Sequence, residues 1–533
     1  MSYRIVALLA SLAWPIVAGV GMSAQEPVSY DVVHRIKDEA FNRSRVAELV
    51  STIADVYGPR FSNSPAYNEA THWARDKFRE FGVDAEVEPF GTVGLGWQNE
   101  YTSFHMMEPQ YQTIIAYPVP WTRGTDGQIR STAIHINAEG IHSEADLAPY
   151  GDLVAGKIVF IAAARALQPA FTPDAIRFTP DQLDDWASFG ILAEPELVEL
   201  VQAEYDELIA GAMDAPMQAE AIAEFLDRAG AAALVSPGLG TDQGAFDKGT
   251  VRVVGGVPIM PGAAKPMPHL IVAAEHYNRV VRVLDMGLNV ELELEVRVRY
   301  DEEDLQDYNV VSQLSGTDLA HEIVIIGGHF DAESAGTGAT DNGAGSAVVM
   351  EAMRILRAID APPRRTIRGI LWGSEEAGLL GSRGYVRNHF IDLEDLETRP
   401  DYENFSVYFN TDWYGRFRGL FIEGNSLVAP IFRAWMEPFH DLGFTHLLPV
   451  PTGGTDSVSF NEAGLPGFKF LQDDLEYFTK TWHSNMDVYD RIVVADLMGN
   501  AAILASFAYH AAMRDERIPR VDTPVISKRS LNR

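Results

Sequence analysis

The chain has 533 residues, 47% hydrophobic and 22% charged, a balance of folded globular protein; at about 100–200 residues per domain it predicts two to four domains. Its 42 basic against 75 acidic residues leave a formal charge of −33, which repels nucleic acid and anionic lipid and excludes a binder that tracks a phosphate backbone. There is no cysteine, so disulfides, thiol nucleophiles and cysteine-based metal sites are excluded, and any metal has to be held by histidine and carboxylate.

At the start of the chain, Arg4 precedes an apolar stretch over 5–20, broken by Pro15 and followed by small residues up to Ala24. One positive charge, a short apolar core and a small-residue exit describe a signal peptide over 1–24. The stretch is short for a membrane span of about 20 residues. The expectation is therefore a secreted or periplasmic protein with no stable membrane insertion. Apolar residues then recur at helical spacing over 32–56 and 68–81, separated by the breaker-rich loop Gly58-Pro59-Arg60-Phe61-Ser62-Asn63-Ser64-Pro65. The stretch 83–90 alternates like a strand.

From about 121 to 300 the texture changes. Short apolar runs at 157–161 and 231–235 predict strands, and 194–226 reads as helical and acidic. The stretch 290–300 alternates strictly, which predicts a half-exposed strand. This region reads as a second domain inserted into the first, leaving 25–120 and 301–518 as the two parts of the main domain and 519–533 as a tail. In the second part, strands are predicted at 323–326, 366–372, 405–410 and 467–471, with helices at 345–359 and 496–511. Strands alternating with helices predict an α/β fold with a mostly parallel central sheet flanked by helices.

Ligands of open α/β sheets bind beyond the C-terminal ends of the strands. There the sequence reads Gly-Gly-His329-Phe-Asp331, Gly-Ser-Glu375-Glu376, Thr-Asp412 and, after a loop, Thr-Trp-His483-Ser-Asn; Asp341-Asn342-Gly343 opens the first crossover helix. Singly, each is an ordinary surface feature; their joint placement at one sheet edge is not. Zinc takes imidazole nitrogen and carboxylate oxygen. Two metals about 3.5–4 Å apart need a shared ligand. A carboxylate can bridge and a neutral imidazole cannot, so one Asp would bridge while each metal adds one His and one further acid. Glu375 and Glu376 are neighbours, and both reach the site only through a turn; one then serves as ligand and the other as general base. Asp331, two residues past His329, is placed to accept the imidazole's other N–H.

At these residues the sequence resembles the M28 family of zinc peptidases, especially its plasma glutamate carboxypeptidase branch. The matching segments are G-G-H-F-D at 327–331, T-D-N-G-A-G at 340–345 and W-G-S-E-E-A-G-L-L-G-S at 372–382, with N-T-D at 410–412, G-G-T-D-S at 453–457 and T-W-H-S-N-M-D-V-Y-D at 481–490. The resemblance implies a zinc-exopeptidase fold holding two zinc ions, one on His329, Asp341 and Asp412, the other on Asp341, Glu376 and His483. It implies Glu375 as catalytic base, Asp331 as partner of His329, and a cis peptide after Asp341. It also implies that the insert is a β-rich protease-associated domain; the stretch 163–226, where the resemblance is weakest, reads as an added helical elaboration expected to cap the cleft and restrict substrates to short peptides. The expected substrates are short peptides, cleaved as aminopeptidase, dipeptidase or carboxypeptidase, and a homodimer stays open. Two competing readings are a single-zinc transferase resembling glutaminyl cyclase and a non-catalytic binding ectodomain. For specificity, Arg383, Arg416, Arg418 and Lys480 are the candidate receptors of a substrate carboxylate, and Asp456 and Asp487 those of a free amine.

Overall fold

A computed structural model describes residues 26–138, 141, 143–169, 171–192, 221–238, 248–254 and 256–521. The expected signal peptide, most of the 194–226 stretch and nearly all of the 519–533 tail lie outside these residues. Two eight-stranded sheets organise the rest.

The first sheet runs, edge to edge, Asp84–Thr92, Gln306–Leu314, Arg365–Trp372, Leu319–His329, Phe405–Asn410, Gly467–Gln472, Phe417–Phe421 and His446–Leu448. Its four central strands are mutually parallel. The sheet as a whole has four parallel and three antiparallel pairings, the antiparallel ones flanking the parallel centre. The centre was readable because strands buried on both faces appear as unbroken apolar runs: Phe405–Asn410 is buried at every position. Gln306–Leu314 has no such run, since Asp307, Asn309 and Ser312 interrupt it, yet all three are fully buried.

Helices cover both faces. On one side, Tyr30–Asn42, Ala344–Ala358 and Val494–Met513 share a core with Val324, Ile326, Val407 and Phe409. On the other, Leu380–His389 and Ser457–Glu462 enclose Trp372, Tyr408 and Phe460. Helix Pro65–Glu80 starts on a Ser64 cap whose hydroxyl accepts the Tyr67 N–H, with Pro65 at its first position.

The second sheet is inserted between the paired strands Asp84–Thr92 and Gln306–Leu314. Its longest members, Gly96–Glu108 and Glu291–Asp301, are antiparallel partners through which the chain enters and leaves. It thus begins at Gly96, ahead of the expected boundary at 121. The sequence near 96–108 mixes polar and aromatic residues without a clean period, so its pairing with a strand nearly 190 residues on is not locally visible. The strict alternation over 290–300 does form a half-exposed strand: Leu292, Leu294 and Val296 are buried and Glu291, Glu293 and Glu295 are not.

Two arms of the inserted region reach back to the first sheet. Residues 249–253 bridge to the loop carrying His483: Val253 N–H donates to the His483 carbonyl (3.0 Å) and Asn485 N–H to the Val251 carbonyl (3.1 Å). Ile176 and Leu475 exchange backbone hydrogen bonds of 2.9 and 2.8 Å beside a buried Asp473 that pairs with Arg177 and Arg418.

Candidate metal centre

His329, Glu376 and Asp412 sit at or just beyond strand ends of the first sheet, while Asp341 and His483 come from the loops that follow. His329 ends strand Leu319–His329, and Asp412 lies two residues past Phe405–Asn410. Asp341 lies in the turn Ala339–Gly343, entered through Gly338, whose φ of 64° and 2.3 Å gap from a built Cβ to Ala332 Cβ require glycine. The Asp341–Asn342 peptide is cis. Asn342 donates to the Thr411 carbonyl (3.0 Å) and accepts the Gly345 N–H (3.1 Å), tying this turn to both the crossover helix and the Asp412 segment. The anticipated turn before Glu375 forms at Ser374, whose φ is 50° and whose hydroxyl donates to Asp307.

The five ligand side chains converge. Asp341 Oδ1 lies 3.1 Å from His329 Nε2 and its Oδ2 lies 3.3 Å from His483 Nε2. Asp412 Oδ1 is 3.4 Å from His329 Nε2, and Glu376 Oε2 is 3.0 Å from His483 Nε2. One carboxylate therefore presents an oxygen to each of two imidazole-plus-acid pairs. Asp341 Oδ2, Asp412 Oδ1, Glu376 Oε1 and Glu333 Oε2 are buried without a hydrogen-bond partner. Buried carboxylate oxygens short of donors are costly, and a cation held between them removes that cost. Mixed nitrogen and oxygen donors fit zinc. Opposing their burial, neighbouring acids raise both imidazoles well above the ordinary range, Glu375 foremost at His329 and Glu376 at His483, while the two imidazoles hold Asp341 well below its own. Burial pushes the Glu375 carboxyl up, with Glu376, Asp456 and Asp412 adding to it.

Asp331 is wholly buried beside His329 and makes further contacts of its own. His329 Nδ1 donates to the Asp331 backbone carbonyl (3.1 Å), and the carboxylate stands off at 3.7 Å. That carboxylate instead accepts the backbone N–H groups of Glu375 (3.0 Å) and Glu376 (3.1 Å) and the Ser62 hydroxyl (3.0 Å). Two consecutive amides at a left-handed turn are donors no strand can satisfy, and they draw the carboxylate away from the imidazole. Asp331 thereby fixes the turn that separates the two glutamates.

The candidate specificity charges are mostly engaged elsewhere. Arg383 pairs with Glu462, Arg416 and Arg418 with Asp473, and Lys480 with Asp174 and Glu476. Asp487 is buried and accepts the N–H groups of Thr340 and Asp341, clasping the bridging turn. Asp456 is wholly buried, and burial pushes it up to about 7.

Three further residues at the site are not singled out by the sequence. Lys469, buried with Nζ 3.7 Å from Asp412 Oδ2 and 4.3 Å from the Trp413 ring centre, reads as an ordinary strand cation. Arg60, in the breaker-rich loop, is wholly buried and donates to the carbonyls of Ile53, Phe330, Thr337 and Gly338. Glu333 joins Glu376 and His483 in a group whose ligand atoms lie within 4.8 Å of one another, and burial pushes it up to about 8. An acid at 333, just past Asp331, would have been the one signal available.

The model of peptidase family M28 matches residues 309–508. Human carboxypeptidase Q is 27% identical over 267 residues, 50% of this chain and 52% of that protein. Aminopeptidase YwaD of Bacillus subtilis is 27% identical over 219 residues, 40% of this chain and 46% of that protein. The chain thus spans about half the length of the curated relatives it matches. Among solved structures, a peptidase M28 precursor from Shewanella amazonensis superposes with a TM-score of 0.64 at 22% identity, covering 92% of this chain and 99% of that one. A zinc aminopeptidase from Bacillus subtilis gives 0.53 at 17% identity, covering 88% and 95%. Both share the fold, mixed α/β with large sheets. Among the described residues no helix is long and apolar enough to cross a membrane. The chain carries a peptidase family M28 domain, homologous to those of carboxypeptidase Q and aminopeptidase YwaD.

Proposed function

We propose that the protein is a secreted di-zinc exopeptidase that hydrolyses short peptides bearing a free α-amine. The observation that carries this reading is Asp341, whose two oxygens each face one imidazole, at 3.1 and 3.3 Å. His329 and Asp412 would hold one ion and His483 and Glu376 the other, with Asp341 shared. Bound zinc supplies a Lewis acid for the scissile carbonyl and lowers the pKa of an attacking water. Glu375 takes the proton released as the water oxygen bonds to the carbonyl carbon. It returns a proton to the leaving nitrogen as the C–N bond breaks. The Asp331 carboxylate keeps the Glu375–Glu376 turn in place meanwhile. The full ligand set argues against a single-zinc transferase and against a non-catalytic ectodomain.

The balance of charge favours an amine over a carboxylate as the recognised terminus. Six carboxylates (Glu333, Asp341, Glu375, Glu376, Asp412 and Asp456) crowd the centre and outnumber the cations against it, Lys469, which faces Asp412, and Arg252, over Trp482. An apolar cavity of about 290 Å³ opens beside Trp413, the neighbour of Asp412, walled by Phe178, Trp186, Phe421, Leu448 and Leu471. It suits a large apolar side chain next to the scissile bond. Phe178 and Trp186 come from the inserted region, which we read as a protease-associated domain with a helical elaboration.

The deciding assay is a panel of dipeptides and of N- or C-blocked peptides, run with zinc and with a chelator. Free-amine peptides with apolar side chains should be cleaved in a chelator-sensitive way. Cleavage that survives chelation, or that prefers N-blocked peptides, would reject the reading.

A further inference from the structure

We propose that Glu333 is a sixth metal ligand, completing the coordination of the ion on the His483 side. This inference rests on the two-metal reading above and concerns a residue that reading leaves out. The ligand atoms of Glu333, Glu376 and His483 all lie within 4.8 Å of one another, near enough for one ion to draw them together. Glu333 Oε2 is buried with no hydrogen-bond partner, and so is Oε1 of Glu376, whose side chain is only 8% exposed. Asp341 Oδ2 completes the ring at 3.3 Å from His483 Nε2.

The two halves of the centre differ in charge. On the His329 side, Lys469 stands 3.7 Å from the outer oxygen of Asp412 and offsets part of its charge. On the His483 side, a further carboxylate, Glu333, joins the group, and the cation near it is the Arg252 guanidinium over Trp482. Three carboxylates gathered on one imidazole are stable only with a strong positive charge among them. Asp341, Glu376, His483 and Glu333 would then hold one ion with four side chains against three on the other, and the two ions would leave the protein at different chelator concentrations.

The test is zinc binding by the full-length protein, stripped and titrated with zinc alone against a chromophoric chelator, with folding followed by circular dichroism. Wild type should bind two ions, the tighter one lost in His483→Ala. Glu333→Gln should weaken that tighter ion at least about tenfold, the lower bound set by loss of groups that merely support a ligand. Glu333→Asp should recover part of the loss. In an Asp412→Ala background, which leaves the His483-side ion, Glu333→Gln should have the same effect. Two ions of unchanged affinity in Glu333→Gln overturn the proposal and leave Glu333 as a counter-charge to Arg252, which lies over Trp482 at 3.8 Å. Fewer than two ions in wild type would instead reject the two-metal reading itself.

Discussion

The two eight-stranded sheets treat charge in opposite ways. The first buries Asp307, Asp331, Asp341, Glu375, Asp412, Asp456 and Asp487 around the ends of its central strands. Among the described residues of 96–301, the buried polar side chains are Thr122, Thr250 and Asn278, and none carries a formal charge. Burying a carboxylate costs several kcal/mol unless a partner or a cation offsets it. A region that repeats that cost seven times within one neighbourhood is organised for chemistry, whereas a region that avoids it is organised for shape. The inserted region acts on the centre through its arms, backing the His483 loop with 249–253 and walling the apolar cavity with Phe178 and Trp186.

The strongest way to break this contrast is at Glu375. Glu375→Gln is expected to lower kcat by about 10²–10⁴-fold while the protein keeps its zinc, because the variant loses only the proton acceptor. Metal analysis and peptide assay on one preparation check both halves; loss of zinc along with activity would make Glu375 a ligand instead. Next in size is Asp331→Ala, which frees the amides of Glu375 and Glu376 and lets the turn relax. A loss of roughly 10–100-fold in activity is expected, as for groups that orient a metal site's ligands. If Asp331 served only to orient His329, zinc affinity would fall and the Glu375-dependent rate of the loaded enzyme would not.

Asp331 also marks where legibility ended. The strand ends carrying His329, Glu375, Glu376 and Asp412 were readable because buried parallel strands leave apolar runs that stop abruptly at polar residues. Its distance in sequence from His329 was readable too, but the competing donors lie more than 40 residues away, at 375 and 376. Lys469, Asp307 and Glu333 owe their roles to contacts of the same long-range kind. The same holds for the edge strands: the pairing of Gly96–Glu108 with Glu291–Asp301 joins segments that no local period connects.

The inserted region's share in shaping the site is sharpened by Trp186→Ala. Trp186 is 39% exposed and stacks edge-on against Phe178 with ring centres 4.7 Å apart, so its removal opens the cavity wall without hollowing a core. Peptides with Leu or Phe at the preferred position should lose about 10-fold in kcat/KM, the scale on which apolar pockets discriminate, and Ala-containing peptides should be unaffected. An equal loss for both kinds of peptide would mean that the arm supports the centre and does not select among substrates.

The smallest effect on turnover is expected at His269, and it tests the other side of the contrast. This imidazole of the inserted sheet is pushed down to about 4 by burial and hydrogen-bonds Ser236 Oγ at 2.9 Å. A histidine whose folded pKa is depressed takes up its proton more readily when unfolded, so between pH 6.5 and about 4 the unfolded chain binds more protons. Stability is then complete above pH 6.5 and falls as the pH drops through that window, by at most about 3 kcal/mol for this group alone. His269→Gln keeps a polar partner for Ser236 and removes the titration. Thermal unfolding at pH 7 and pH 4.5 should show a smaller acid-induced drop in the variant, with peptide turnover at pH 7 unchanged. Equal drops in both proteins would place the acid sensitivity with the carboxylates of the first sheet and leave the inserted sheet no share in it.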